Sequence, residues 1–231
     1  ARHFGVVVLA DAAHELAHLQ VGAAFWLKDG GVHVLGLYLQ LLHMQLQGIE
    51  MSEINQLEAW IAQEREVSAR MDAGAGPGVA RPEQIAGMNG LQMMEAMLRG
   101  DIPYAEIAKT LNFQIIEVSH GRAVFQGTPL PEHRNPMGGI HGGWYATLLD
   151  SALGCAVHTT MPPGRGYTTA ELSVNLVKAI GPKAPRVRAE GKVVHVGKQL
   201  ATAEARLYGP DGTLYAHATT TCLVFELKRP E

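Results

Sequence analysis

Cysteine is scarce: Cys155 and Cys222 are the only two in 231 residues, far apart and in no CxxC pair. That excludes a disulfide framework and points to a reducing compartment. Long apolar runs are missing too. The longest near the start, residues 32–46, is broken by His33, Gln40, His43 and Gln45, whereas a bilayer span needs about 20 mostly apolar residues. Residues 1–10 run into Asp11, His14, Glu15 and His18 without the apolar core of a secretion signal. A cytoplasmic protein with no membrane partner is expected. Positive charge is not in excess either: 19 Lys and Arg stand against 22 Asp and Glu, a net charge of −3, so nothing marks the whole chain for nucleic acid. What is present is an ordinary globular composition, 47% apolar and 18% charged, rather than that of a disordered chain.

Charge and periodicity divide the sequence. Residues 1–75 carry four basic against nine acidic side chains, and residues 76–231 fifteen against thirteen. Within 1–75 apolar residues recur at helical spacing, as Leu16, Leu19, Ala23 and Leu27, then Leu35, Leu39, Leu42 and Leu46. Ser52 caps a third predicted helix, which carries Ile54, Leu57 and Ile61 on one face, and Gly30, Gly31 and Gly48 separate the three. The Gly- and Pro-rich run 72–82 suits neither helix nor strand, so residues 76–89 are read as a linker to a domain spanning 90–231.

That domain begins with a short helix over 90–99, stopped by Gly100 and Pro103. Alternation then takes over. Residues 113–118 and 122–127 read as a hairpin, a long apolar helix covers about 142–158, and strands follow over 167–179, 186–196, 199–208 and 213–225. A hairpin, one buried helix and a meander describe an α+β domain with a sheet wrapped around a helix.

The chemistry concentrates in residues 135–150, Asn-Pro-Met-Gly-Gly-Ile-His-Gly-Gly-Trp-Tyr-Ala-Thr-Leu-Leu-Asp. From Trp144 to Val157 the one formal charge is Asp150. A carboxylate on a buried helix must be paired, hydrogen-bonded or protonated; it is either a structural ion pair or a catalytic group in a dry cleft. Gly142 and Gly143 leave the first helix amides bare, which suits an oxyanion, although the same glycines would also permit tight packing. Asn135 adds a side-chain amide. Gly142 and Asp150 are eight residues apart, about 12 Å along one helix, too far to act on one carbonyl, which needs both groups within about 3.5 Å. Two antiparallel copies of the helix in a symmetric dimer would bring them together.

The spacing Asn-x2-Gly-x2-His-Gly-Gly-x6-Asp resembles the PaaI-like branch of the hotdog-fold acyl-CoA thioesterases, from about Gly90 onward. Tyr167-Thr-Thr-Ala-Glu171 after the helix and Gly197-Lys198 at a strand junction agree with it. The resemblance implies a homodimer or dimer of dimers that hydrolyses acyl-CoA thioesters without metal or redox cofactor. It implies that Gly142 polarises the carbonyl and that Asp150 of the facing subunit acts as base or nucleophile. Asn135 would position carbonyl or water, Thr169 rather than Thr168 would orient the nucleophile, and His141 would fix the loop. The family often has Ser where Thr169 stands. Gly143 adjoins the oxyanion turn, and Trp144 and Tyr145 would line an aryl or medium-chain acyl pocket or else belong to the core. Lys178, Lys183, Arg186, Lys198 and Arg165 are the candidate cations for CoA phosphates.

Residues 14–18, His-Glu-Leu-Ala-His, match the HExxH pattern of zinc proteases, with Glu58, Glu64 or Glu66 as a third ligand. Seventy-five residues are few for such an enzyme, and the alternative is a helix with polar histidines on its solvent face. A non-catalytic acyl-CoA-sensing regulator is the other competing reading. Against it, a helical region with a charge of −5 would repel a phosphate backbone.

Overall fold

A computed structural model describes residues 31–181 and 186–227. The chain divides into two compact units, 1–50 and 51–231. The HExxH histidines, His14 and His18, with Glu15, the predicted helix over 16–27 and Lys183 lie outside the described residues. Among those described, no helix is long and apolar enough to cross a membrane.

The expected pair of helices around Gly48 is one helix, α1 (Gly31–Ala73), with Ser52 in its interior rather than at a cap. An interior glycine costs about 1 kcal/mol relative to alanine, too little to interrupt a run of good helix formers such as Leu46, Gln47, Glu50 and Met51. The predicted linker is also more ordered than its composition suggests. Ala75 N donates to Gly100 O at 2.9 Å, Gly78 N to Tyr104 O at 2.8 Å and Tyr104 N back to Gly76 O at 3.0 Å. A one-turn helix, α2 (Pro82–Ile85), follows. The 51–231 unit therefore includes the C-terminal part of α1, whose Trp60, Val67 and Met71 are buried.

Asn89 caps α3 (Gly90–Arg99) by accepting from Gln92 N, and Gly100, at φ 82°, closes it. After the short α4 (Glu106–Thr110) come β1 (Phe113–Ser119) and β2 (Arg122–Gly127), then α5 (Gly142–His158). Four strands complete the unit: β3 (Arg165–Leu176), β4 (Val187–Val196), β5 (Leu200–Tyr208) and β6 (Leu214–Glu226). All six pair antiparallel in the order β1-β2-β4-β5-β6-β3. Strands β4 to β6 form the expected meander, but β3 does not join β4. Among the described residues it pairs with β6 alone, at the edge opposite the hairpin.

The sheet wraps around α5, the hotdog architecture expected from the sequence. Leu148, Leu149, Ala152, Leu153, Ala156 and Val157 of α5 are fully buried. Beneath them the strands offer small residues, including Ala189, Ala203, Ala205, Ala216 and Ala218, so the helix lies close to the sheet. The tightest approach is at Gly191 of β4, where a Cβ would come within 2.3 Å of Ala152 O. Backbone cannot yield as a flexible side chain does. Gly191→Ala is therefore expected to lower stability by about 3 kcal/mol, the upper range for overpacking, read as a lowered urea midpoint. An unchanged midpoint would show that α5 is free to shift.

Candidate active site

Asp150 sits half-buried on α5 opposite β3. Thr169 Oγ1 donates to its Oδ1 at 3.0 Å, and Oδ2 has no hydrogen-bond partner among the described residues. Strand parity decides which threonine reaches it. Thr169 pairs with buried Cys222, whereas Thr168 pairs with Leu223, which is 47% exposed. Thr169 thus points toward α5 and Thr168 toward the outer face.

Other reactive side chains near Asp150 are occupied or neutral. Ser151 Oγ donates to Thr147 O at 2.8 Å. Burial, with the charge of Asp150 second, pushes the Cys155 thiol up to about 12, so almost none is thiolate at neutral pH. Burial likewise pushes the Tyr167 hydroxyl well above its ordinary value. Asp150 keeps one side-chain oxygen free among the described residues.

At the other end of α5, His141 is the N-cap, with its Nδ1 accepting from Gly143 N at 2.9 Å. Trp144 N donates to His141 O. Of the first three helix amides only that of Gly142 has no acceptor among the described residues. It combines a free donor with the positive end of the helix dipole. Asn135 shapes the preceding turn: its Oδ1 accepts from Met137 N at 3.0 Å and Gly139 N at 3.2 Å. Its Nδ2 makes no hydrogen bond among the described residues.

The expected residues therefore fall into two groups. Asp150 and Thr169 meet; Gly142, Gly143, His141 and Asn135 gather at the helix start, eight residues or about 12 Å along α5 from Asp150. Within one chain the two groups do not meet.

Several expected binding residues stand elsewhere. Trp144 and Tyr145 are core side chains, each 3% exposed. Trp144 Nε1 donates to Leu111 O at 2.8 Å, and Tyr145 Oη accepts from Ile180 N at 2.7 Å. Trp144 also stacks on His133, 6.4 Å between centroids, and Tyr145 packs edge-on to Trp144 at 6.1 Å, so both rings fill the packing around the helix start. Lys178 and Lys198 are exposed and in no ion pair among the described residues. Arg186 is committed to Glu64 and to Thr128 Oγ1, and Arg165 bonds the carbonyl of Lys198. Glu58 is exposed, and among the described residues no cluster of three His, Cys, Asp or Glu could hold a metal.

Sequence reasoning missed the cavity that opens at Asp150 and Thr169, about 160 Å³ in volume, with Met71, Met97, Phe113 and Phe125 among its walls. These come from α1, α3, β1 and β2, with no local pattern to announce them.

Residues 137–216 match the family described as the thioesterase superfamily. A Saccharolobus solfataricus protein named "Putative esterase" is 30% identical over 124 residues, covering 53% of this chain and 86% of that protein. A Halobacterium salinarum protein of the same description is 33% identical over 90 residues, or 39% of this chain. The matched region spans only 59% of that second relative's length. Among solved structures, S. sahachiroi AziG shares the fold at a TM-score of 0.51 and 17% identity, covering 53% of this chain and 98% of its own. The chain belongs to the thioesterase superfamily.

Proposed function

We propose that this member of the thioesterase superfamily hydrolyses acyl-CoA thioesters, of aryl or medium-chain acids, in sites shared between two copies of the chain. The observation that carries the reading is the separation of a free helix-start amide, Gly142, from a hydroxyl-held carboxylate, Asp150, at two points along α5. The edge strand explains how two copies would reunite them. Strand β3 has one side unpaired in the described chain, Thr169 lies beside Asp150, and the Leu176 side chain lies beside Gly142, 3.2 Å from where a Cβ would stand. A two-fold pairing of β3 with its copy, centred near Leu172 and Ser173, would set Thr169 of one subunit opposite Leu176 of the other. Gly142 of one subunit then faces Asp150 of its partner, and symmetry gives two such sites.

In such a site the thioester oxygen accepts from the Gly142 N–H, with Asn135 Nδ2 close to the same turn. Asp150, oriented by Thr169, takes a proton from water as the water oxygen bonds to the carbonyl carbon. The tetrahedral oxyanion is held at Gly142. The C–S bond then breaks, and the proton on Asp150 passes to the sulfur, giving free acid and CoA. Direct attack by Asp150 would instead give an anhydride that water opens, with the same products. Lys178 and Lys198 remain the cations available to CoA phosphates, and the protein would act as a cytoplasmic dimer or dimer of dimers.

Release of free thiol from a panel of aryl, short and long acyl-CoA esters tests the reading; no release from any of them would overturn it. A sharper variant is Gly142→Pro. Proline is well tolerated at the first helical position; it replaces the amide hydrogen with a ring carbon, and its Cβ, 3.2 Å from Leu176 Cδ1, needs only the flexible end of that side chain to give way. The preceding His141, at φ −63° and ψ 135°, already has the extended conformation that a residue before proline requires. Turnover is expected to fall about 10²–10³-fold, as for loss of one oxyanion donor, with the circular-dichroism melting curve retained. Full activity in this variant would remove Gly142 from the chemistry.

A further inference from the structure

The cavity at Asp150 has a direction. Its rim holds Thr169 and Ile107, the latter 49% exposed, while its inner wall holds Met71, 1% exposed, Ile115, 2%, and Phe113, 5%. Polarity runs the same way. The carboxyl of Asp150 and the hydroxyl of Thr169 stand at the outer end, and the most buried of the wall residues, Met71, Ile115 and Phe113, are apolar. A group bonded to a carbonyl held near Asp150 can enter only by its hydrocarbon part. Met71 belongs to the last turn of α1, ahead of the residues matched by the family (137–216), so this wall is supplied by the chain's own preceding segment. That turn is fixed in place: Tyr104 Oη donates to Asp72 Oδ1 at 2.7 Å, and Gly76 N donates to Met71 O at 3.1 Å.

We propose that this cavity receives the acyl group, and that Met71, with Met97 beside it, sets the length accepted. The inference rests on the acyl-thioester reading above and adds to it the residues that select the substrate. An apolar cavity of about 150 Å³ takes a benzene-sized ligand; the cavity here, about 160 Å³, matches that scale. It accepts a ring or a straight chain of about six carbons. Each methylene that finds room should raise kcat/KM about fourfold, and the gain should stop where the chain meets Met71.

The test uses the full chain as wild type, Met71→Ala and Met97→Ala. Met97 is only partly buried, so its variant guards against a fold lost in the first. Two readouts are taken over straight chains of four to twelve carbons: kcat/KM for the CoA esters by thiol release, and the thermal shift given by the free carboxylic acids. The expected result is a wild-type limit near six carbons that moves outward by about two in either variant. The octanoyl-to-hexanoyl ratio of kcat/KM should rise about tenfold or more, in keeping with the gain per methylene. The same limit in both variants and wild type would overturn the inference even if esters are hydrolysed. If no ester is hydrolysed but the limit for free acids moves by that step, the hydrolase reading fails and the length-setting role of Met71 stands.

Discussion

Asp150→Asn is expected to lower kcat for thioester hydrolysis about 10³-fold, within the range for removal of a positioned general base. The substitution is nearly isosteric, and an Asn carbonyl still accepts the Thr169 hydroxyl now donated to Asp150 Oδ1 at 3.0 Å. Folding should be unaffected, because no ion pair is broken: Asp150 has no cationic partner among the described residues. A variant with wild-type turnover would dismiss Asp150 from the reaction. Mixing gives a second, independent result. Combine Asp150→Asn subunits with Gly142→Pro subunits and allow exchange. Each mixed dimer then holds one site with both defects and one with neither. With half of the dimers mixed, activity should recover to about a quarter of wild type if two-fold sites are shared. Sites contained within one subunit would leave the mixture inactive.

That Thr169 meets Asp150 agrees with the expectation drawn from the family resemblance, and strand parity accounts for the contact. Alternation places Thr169 on the inward face and Thr168 outward once one neighbour's burial is known, and the pairing with Cys222 and Leu223 agrees. The lone carboxylate in an apolar helix singles out Asp150 in the same way. Trp144 and Tyr145 were ambiguous because an aromatic ring at a helix start suits a pocket or a core equally; only the residues Leu111, His133 and Ile180 that meet them from outside the helix decide. The edge position of β3 was illegible, since nothing in its residues records that it pairs with a strand beyond β4 and β5, at Leu214–Glu226. The cavity was illegible for the same reason: Met71 and Phe125 meet by topology alone.

Residues 51–75 belong to the same compact unit as the sheet, and this carries the second strong expectation. A chain beginning at Met51 should fold, and one beginning at residue 76 should not. The C-terminal part of α1 covers a row of polar strand residues whose pairing runs Gln114, Gln126, Arg188 and Tyr208 across β1, β2, β4 and β5. Trp60 packs edge-on to Tyr208 with 5.8 Å between centroids, and the Arg188 guanidinium lies 4.4 Å over the Trp60 ring. Beneath it Gln126 Nε2 donates to Trp60 O at 3.1 Å and to Glu64 Oε2 at 2.7 Å, while Arg188 Nη2 donates to Gln63 Oε1 at 2.6 Å. Val67 and Met71 continue into the core with Met94 and Tyr104. Burial of Trp60, Val67 and Met71 contributes about 1.5–3 kcal/mol apiece, and the hydrogen bonds about 1 kcal/mol each. Their sum is comparable to the 5–15 kcal/mol that holds a typical domain together. Deletion to residue 75 should therefore give an aggregating or molten product, seen as lost near-ultraviolet dichroism, while deletion to residue 50 keeps a cooperative melt. A truncation at residue 75 that melts cooperatively near the full-length temperature would show that α1 is dispensable to the sheet it covers, and would leave the cavity without its Met71 wall in a folded protein.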